Sequence, residues 1–218
     1  MSRIVPTLAG LLTVALLITA PIAYALHEQN QMRNFHVVKD GVLCRSGQMT
    51  LHGLQRVVHD YGIKLVISLR DSTRPTDQEE EDYCRKEDIK FIRLPPLSWW
   101  APAGPAPVEE NVARFRAVMA DPANYPVLVH CFAGIHRTGA FCAIYRMEHD
   151  HWTNAEALRE LKQGGYINLE DEWDVLGYLE EYRPTWREDA LDAMPAIRKR
   201  PPAKPVKISS KGQRTKVQ

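Results

Sequence analysis

The chain has 218 residues, with 28 lysines and arginines against 27 aspartates and glutamates, a net charge of +1. This balance gives no ground for nucleic acid as a partner, and four cysteines without Cys-x-x-C spacing exclude a zinc site of the usual kind. From Ile4 to Leu26 there is no charged residue, long enough for a single-pass transmembrane anchor. The pattern Ala23-Tyr24-Ala25 also fits export-signal cleavage. The length favours an anchor over residues 1–26. Arg3 then holds the N-terminus at the cytoplasm and leaves the rest extracytoplasmic, in a bacterium periplasmic; the alternative is export after cleavage.

Residues 36–38 and 42–45 read as strands around an Asp40-Gly41 turn. Residues 50–61 place Leu51, Leu54, Val57 and Val58 on one helical face. Residues 64–69 form a buried strand. A polar helix over 77–86 is expected to take Thr76 as its cap. A strand over 90–94 stops at Pro95-Pro96, and a helix over 107–119 starts with proline. After a short strand at 126–129 come helices over 138–150, 153–163 and 170–182, the second stopped by Gly164-Gly165. Alternating strands and helices imply an α/β domain over 34–183, with a central, mainly parallel sheet flanked by helices. Residues 184–218 are rich in proline and basic residues. Eight lysines and arginines follow Ile197 with no acid among them, which leaves 20 bases against 27 acids before it, a net charge of −7. Such a tail is expected to be disordered.

Between the strand at 126–129 and the helix that follows lies His130-Cys131-Phe132-Ala133-Gly134-Ile135-His136-Arg137-Thr138-Gly139. A strand thus delivers a cysteine to a tight loop that opens into a helix, whose first amides point at an anion. Arg137 can close over that anion with a planar two-pronged grip. The helix start, the loop amides and Arg137 all favour a thiolate at Cys131. Residues Phe132, Ala133, Gly134, Ile135, His136 and Arg137 form the expected substrate-binding loop. His130 is expected to orient it.

The Cys-x5-Arg-Thr loop, with its preceding histidine and trailing Thr-Gly, resembles the signature of the cysteine-dependent protein tyrosine phosphatases, in their small dual-specificity branch of bacterial and fungal atypical members. Arg45-Ser46-Gly47-Gln48 resembles the entry segment of those members, and residues 62–70 their first core strand. The resemblance implies phosphoryl transfer to Cys131 and hydrolysis of the cysteinyl-phosphate by water, with neither metal nor cofactor. It implies that Thr138 helps the thiolate leave. Expected substrates are phosphotyrosine proteins, with phosphoserine and phosphothreonine behind them, or a small phosphoester. Alternatives are an inositol-phosphate or phosphoinositide phosphatase, and a weakly active phosphate-binding module at a membrane.

The family protonates the departing oxygen with an aspartate, often on the loop before the helix at 107–119. Residues 94–111 contain no aspartate and offer Glu109 and Glu110. Asp71, which follows a core strand at the expected active-site edge, is the competing acid, and a site without a dedicated acid is the third option. Phe132, Ala133 and Ile135 bring no positive charge, which counts against a highly phosphorylated ligand. His136-Arg137-Thr138 matches the fungal and plant branch acting on inositol pyrophosphates. Trp99 and Trp100 either wall a pocket or pack their loop onto the domain.

Overall fold

Three short strands that are buried at every position decide the architecture. In a computed structural model that describes residues 4–187, β1 (His36–Lys39), β2 (Leu43–Ser46), β3 (Leu65–Ser68), β4 (Lys90–Arg93) and β5 (Val127–His130) form one sheet in the order β1-β2-β5-β3-β4. The pairs β2–β5, β5–β3 and β3–β4 are parallel, and β1 is an antiparallel edge. The expected mainly parallel sheet is therefore present.

Successive strand residues face opposite sides. Leu65, Ile67, Val127 and Val129 join one core with α4 (Glu109–Met119), α5 (His136–His149), α6 (Asn154–Gln163) and α7 (Trp173–Glu181). Val66 and Leu128 join a second core with Leu54 and Val57 of α2 (Leu51–Tyr61) and Cys84 of α3 (Pro75–Lys86). Both faces are thus covered, so a one-residue slip of β5 against β3 exchanges the two cores. The observed register, Leu65 on Val127 and Ile67 on Val129, is strongly specified.

Local chemistry sets several boundaries away from those expected. The first helix, α1, runs Ile4–Gln31, past residue 26, because nothing between His27 and Gln31 breaks a helix. Helix α3 begins at Pro75 rather than behind a Thr76 cap. Proline has no amide to leave unpaired at that position, and Asp77 accepts the Arg74 N–H at 3.1 Å. Helix α5 starts at His136, so Arg137 lies in its first turn. The expected helix over 170–182 divides into a 3-10 turn, Leu169–Asp171, and α7, with the non-helical Glu172 between them. Glu172 accepts a hydrogen bond from the hydroxyl of the buried Tyr166. A buried phenol needs that partner, and the break in the helix places it.

Residues up to Pro184 form one compact unit; Thr185–Arg187 begin a second. Of the tail assigned to 184–218, residues 188–218 lie outside the described residues.

Candidate active site

Ser46, His130 and Ser68 end three neighbouring parallel strands at one register level. The loops that follow therefore converge at the carboxyl edge of the sheet, where open α/β sheets bind ligands.

The loop after β5 is built by its outward carbonyls. Phe132 O accepts from Gln48 N–H at 3.0 Å, Ala133 O from the Asn34 amide at 2.8 Å, and Gly134 O from the Arg45 guanidinium at 2.7 Å. A trans peptide is planar, with carbonyl and N–H on opposite sides. Pinning three successive carbonyls outward therefore turns the N–H groups of Ala133, Gly134 and Ile135 inward. The Gly134 N–H reaches Cys131 Sγ at 3.2 Å. Gly134 has φ +76°, and a Cβ there would lie 2.3 Å from the Gly47 backbone nitrogen. Conformation and space together demand glycine.

Cys131 lies buried at the floor of this ring. Burial alone raises its pKa, but the Thr138 hydroxyl and amide, the Gly134 N–H and the charge on His130 outweigh it, so the thiol falls below its ordinary value. The buried Thr138 hydroxyl has no well-formed hydrogen bond elsewhere, which leaves the sulfur as its partner. Cys44, Cys84 and Cys142 go the other way. Burial first of all pushes them to about 11, 12 and 12. Cys131 alone among the four combines a depressed pKa with an anion-binding loop.

The positive charge beside the thiol has a source not read from the sequence. His130 Nε2 lies 2.9 Å from Glu80 Oε1, and both side chains are buried. Burial pushes the His130 pKa down, yet the Glu80 carboxylate overrides it and the net direction is up. Glu80 is likewise penalised by burial and then drawn below the usual carboxylate range by His130, Gln48 and Arg93. The Glu80 carboxylate thus favours the charged form of the His130 imidazole next to the thiol. The clue was available in α3, where Asp77, Glu80 and Cys84 share one buried face. Two carboxylates on that face require cationic partners, and they have them in Arg70, 3.0 Å from Asp77, and in His130.

Arg137 is exposed and donates one N–H to Leu69 O at 2.9 Å, and its remaining N–H groups make no hydrogen bond among the described residues. His136 stacks on Tyr166 at 4.4 Å. Phe132 is 45% exposed, and three guanidinium groups gather on its ring: Arg33 at 4.5 Å, Arg74 at 5.2 Å and Arg70 at 5.3 Å. The loop brings no lysine or arginine before Arg137, but the fold surrounds it with cations from two other segments.

A cleft of about 280 Å³ opens beside the loop. Its walls include His136, Arg137, Pro96, Trp99, Glu172 and Asp174. Trp99 serves both of its expected roles: it lines the cleft and packs edge-on against Phe141 and Tyr178. Trp100 rests on Trp173 at 5.6 Å. Of the acids expected from sequence, Glu109 accepts a hydrogen bond from the Tyr178 hydroxyl at 2.8 Å, Glu110 is exposed on α4, and Asp71 is exposed on the loop after β3. None of the three lines the cleft.

Residues 20–174 match the family described as DSP-PTPase phosphatase fused to NAD+ kinase. The dual specificity protein phosphatase TpbA of Pseudomonas aeruginosa is 36% identical over 108 residues, 43% of this chain and 48% of TpbA. The tyrosine-protein phosphatase-like protein OCA2 of Saccharomyces cerevisiae is 27% identical over 124 residues, 57% of this chain and 60% of that protein. The chain thus spans about half the length of the curated relatives it matches. The crystal structure of P. aeruginosa TpbA superposes with a TM-score of 0.57 at 22% identity, covering 73% of this chain and 91% of TpbA. The catalytic core of the PP-IP phosphatase SIW14 from S. cerevisiae does so at 0.56 and 20% identity, covering 74% and 92%. The fold is shared with both.

Proposed function

The chain belongs to the DSP-PTPase phosphatase family, and from that premise we propose that it hydrolyses phosphomonoesters, foremost phosphotyrosine in proteins, through a phosphocysteine at Cys131. The observation that supports this reading most strongly is the ring of inward amides around a buried thiol whose pKa is depressed. Those amides match the equatorial oxygens of a phosphoryl group, and Arg137 closes over them. The thiolate attacks phosphorus, the ester oxygen leaves, and water then cleaves the S–P bond to release phosphate. Thr138 donates to the sulfur as it departs. TpbA has been solved in complex with phosphotyrosine, which supports the same ligand here.

A second reading is a multiply phosphorylated inositol substrate. One observation favours it: Arg33, Arg70 and Arg74 converge on Phe132 in the loop, and among the described residues only Arg70 of the three has a carboxylate partner, Asp77. A ligand with several phosphates can use that surplus charge. A substrate panel on the full-length protein in detergent separates the two. The leading reading expects phosphotyrosine peptides to give the highest kcat/KM. A higher value for inositol pyrophosphates would install the second reading, and phosphate-ester binding without turnover would indicate a binding module.

The helix α1 supports a membrane location. At 28 residues it is about 42 Å long, against roughly 30 Å of hydrocarbon in a bilayer. Its segment Gly10–His27 is apolar, and every residue of it is exposed among the described residues. It fits a single-pass anchor carrying the phosphatase domain outside the cytoplasm.

A further inference from the structure

The protonation of the leaving group lacks a donor from the expected places. An alkyl ester of phosphate expels a strongly basic alkoxide, so its cleavage depends on an acid at the ester oxygen. The segment between β4 and α4 that lines the cleft does so with Pro96, Leu97 and Trp99, none of which donates a proton from a carboxyl group. The same segment is fastened to α7 by Trp99 on Tyr178 and Trp100 on Trp173. The carboxyl groups on the cleft wall come instead from the break before α7 and its first turn, Glu172 and Asp174.

These two are not equivalent. Glu172 already accepts from the Tyr166 hydroxyl, and Tyr166 in turn supports His136 by stacking. Asp174 is half-buried and makes no hydrogen bond or ion pair among the described residues. It shares the cleft with Arg137 and His136 of α5. Tyr166 lines the same cleft, and its hydroxyl pKa is pushed up by burial first and then by Glu172, with Asp174 and Cys131 acting in the same direction. Resting on the phosphatase reading above, we infer that Asp174 is the general acid and base of this site.

In the first step the Asp174 carboxyl gives its proton to the ester oxygen as the P–O bond breaks and the S–P bond forms. In the second the Asp174 carboxylate takes a proton from water as that water's oxygen bonds to phosphorus and the thiolate departs. The donor thus enters from the chain after the nucleophile, opposite in sequence to the segment expected to supply it.

The test compares leaving groups in the full-length protein. Asp174→Asn is expected to lower kcat/KM on phosphoserine peptides by about 100-fold. On p-nitrophenyl phosphate, whose phenolate leaves without much protonation, kcat/KM, which covers only the steps through departure of the leaving group, is expected within several-fold of the parent protein and also reports that the variant is folded. The falling basic limb of the kcat/KM profile should disappear in Asp174→Asn and return in Asp174→Glu. Equal losses on both substrates, or no loss on either, would overturn the assignment. So would a loss confined to phosphoserine in Asp71→Asn or Glu172→Gln with none in Asp174→Asn. If the unsubstituted protein fails on p-nitrophenyl phosphate, the phosphatase reading itself falls, an outcome distinct from a misassigned acid.

Discussion

Cys131 differs from the other three cysteines in what surrounds its sulfur, and that difference makes the residue-scale account testable. Cys131→Ser should abolish turnover while retaining phosphate-ester binding, because the amides and Arg137 remain. Calorimetric titration with an unreactive phosphonate beside a turnover assay checks both halves. Arg137→Lys should also lose most activity, since a point charge does not reproduce the bidentate grip. The thiolate further depends on His130, and His130 on Glu80. Glu80→Gln removes the carboxylate that keeps the buried imidazole charged, so the midpoint for alkylation of Cys131 by iodoacetate should move to higher pH. An unchanged midpoint would remove the pair from the thiol's activation. Cys131, Arg137 and Thr138 were legible in the sequence as parts of one loop because they fall within eight consecutive positions. Glu80, Arg45 and Asn34 were not, because their partners lie 50, 89 and 99 residues away and only the sheet brings them together.

At the scale of elements, the loop after β5 owes its shape to its neighbours. Gly134→Ala sets a Cβ against backbone atoms of Ser46 and Gly47 at a positive φ. Separating those backbones should cost about 1–3 kcal/mol and displace the loop amides, so melting temperature and kcat should fall together. Normal kcat in this variant would mean that the inward amides are dispensable. The contact between α3 and β5 gives a pH signature. The His130 pKa is raised, so its contribution is complete below the usual imidazole value and is lost as pH rises through the raised one. The Glu80 pKa is lowered, so its contribution is complete above the usual carboxylate value and is lost as pH falls through the lowered one. Stability should therefore be greatest between those two limits. Glu80→Gln should lose about 3–5 kcal/mol within that window, and thermal melts across pH read it. Strand and helix order followed from apolar patterning and capping residues. The break before α7 did not, because it answers the buried Tyr166 hydroxyl, a tertiary demand.

The whole molecule joins an α/β body, with its site at one sheet edge, to an apolar helix whose segment Gly10–His27 is exposed throughout and whose last residue, Gln31, meets the body at Thr50. Cell fractionation should leave the intact protein in the membrane pellet after a high-salt wash. Release by salt would indicate electrostatic attachment, and a mature N-terminus near Leu26 a cleaved signal. The arginines around Phe132 act at the same scale, because they join segments distant in sequence into one basic rim. The central claim is covalent and calls for a covalent measurement. Full-length protein mixed with p-nitrophenyl phosphate, quenched in acid within the first turnover and analysed by peptide mass spectrometry, should carry a phosphoryl group on Cys131, and Cys131→Ser should carry none. Phosphate release with no phosphoryl group on Cys131, or with the group on another residue, would contradict the account.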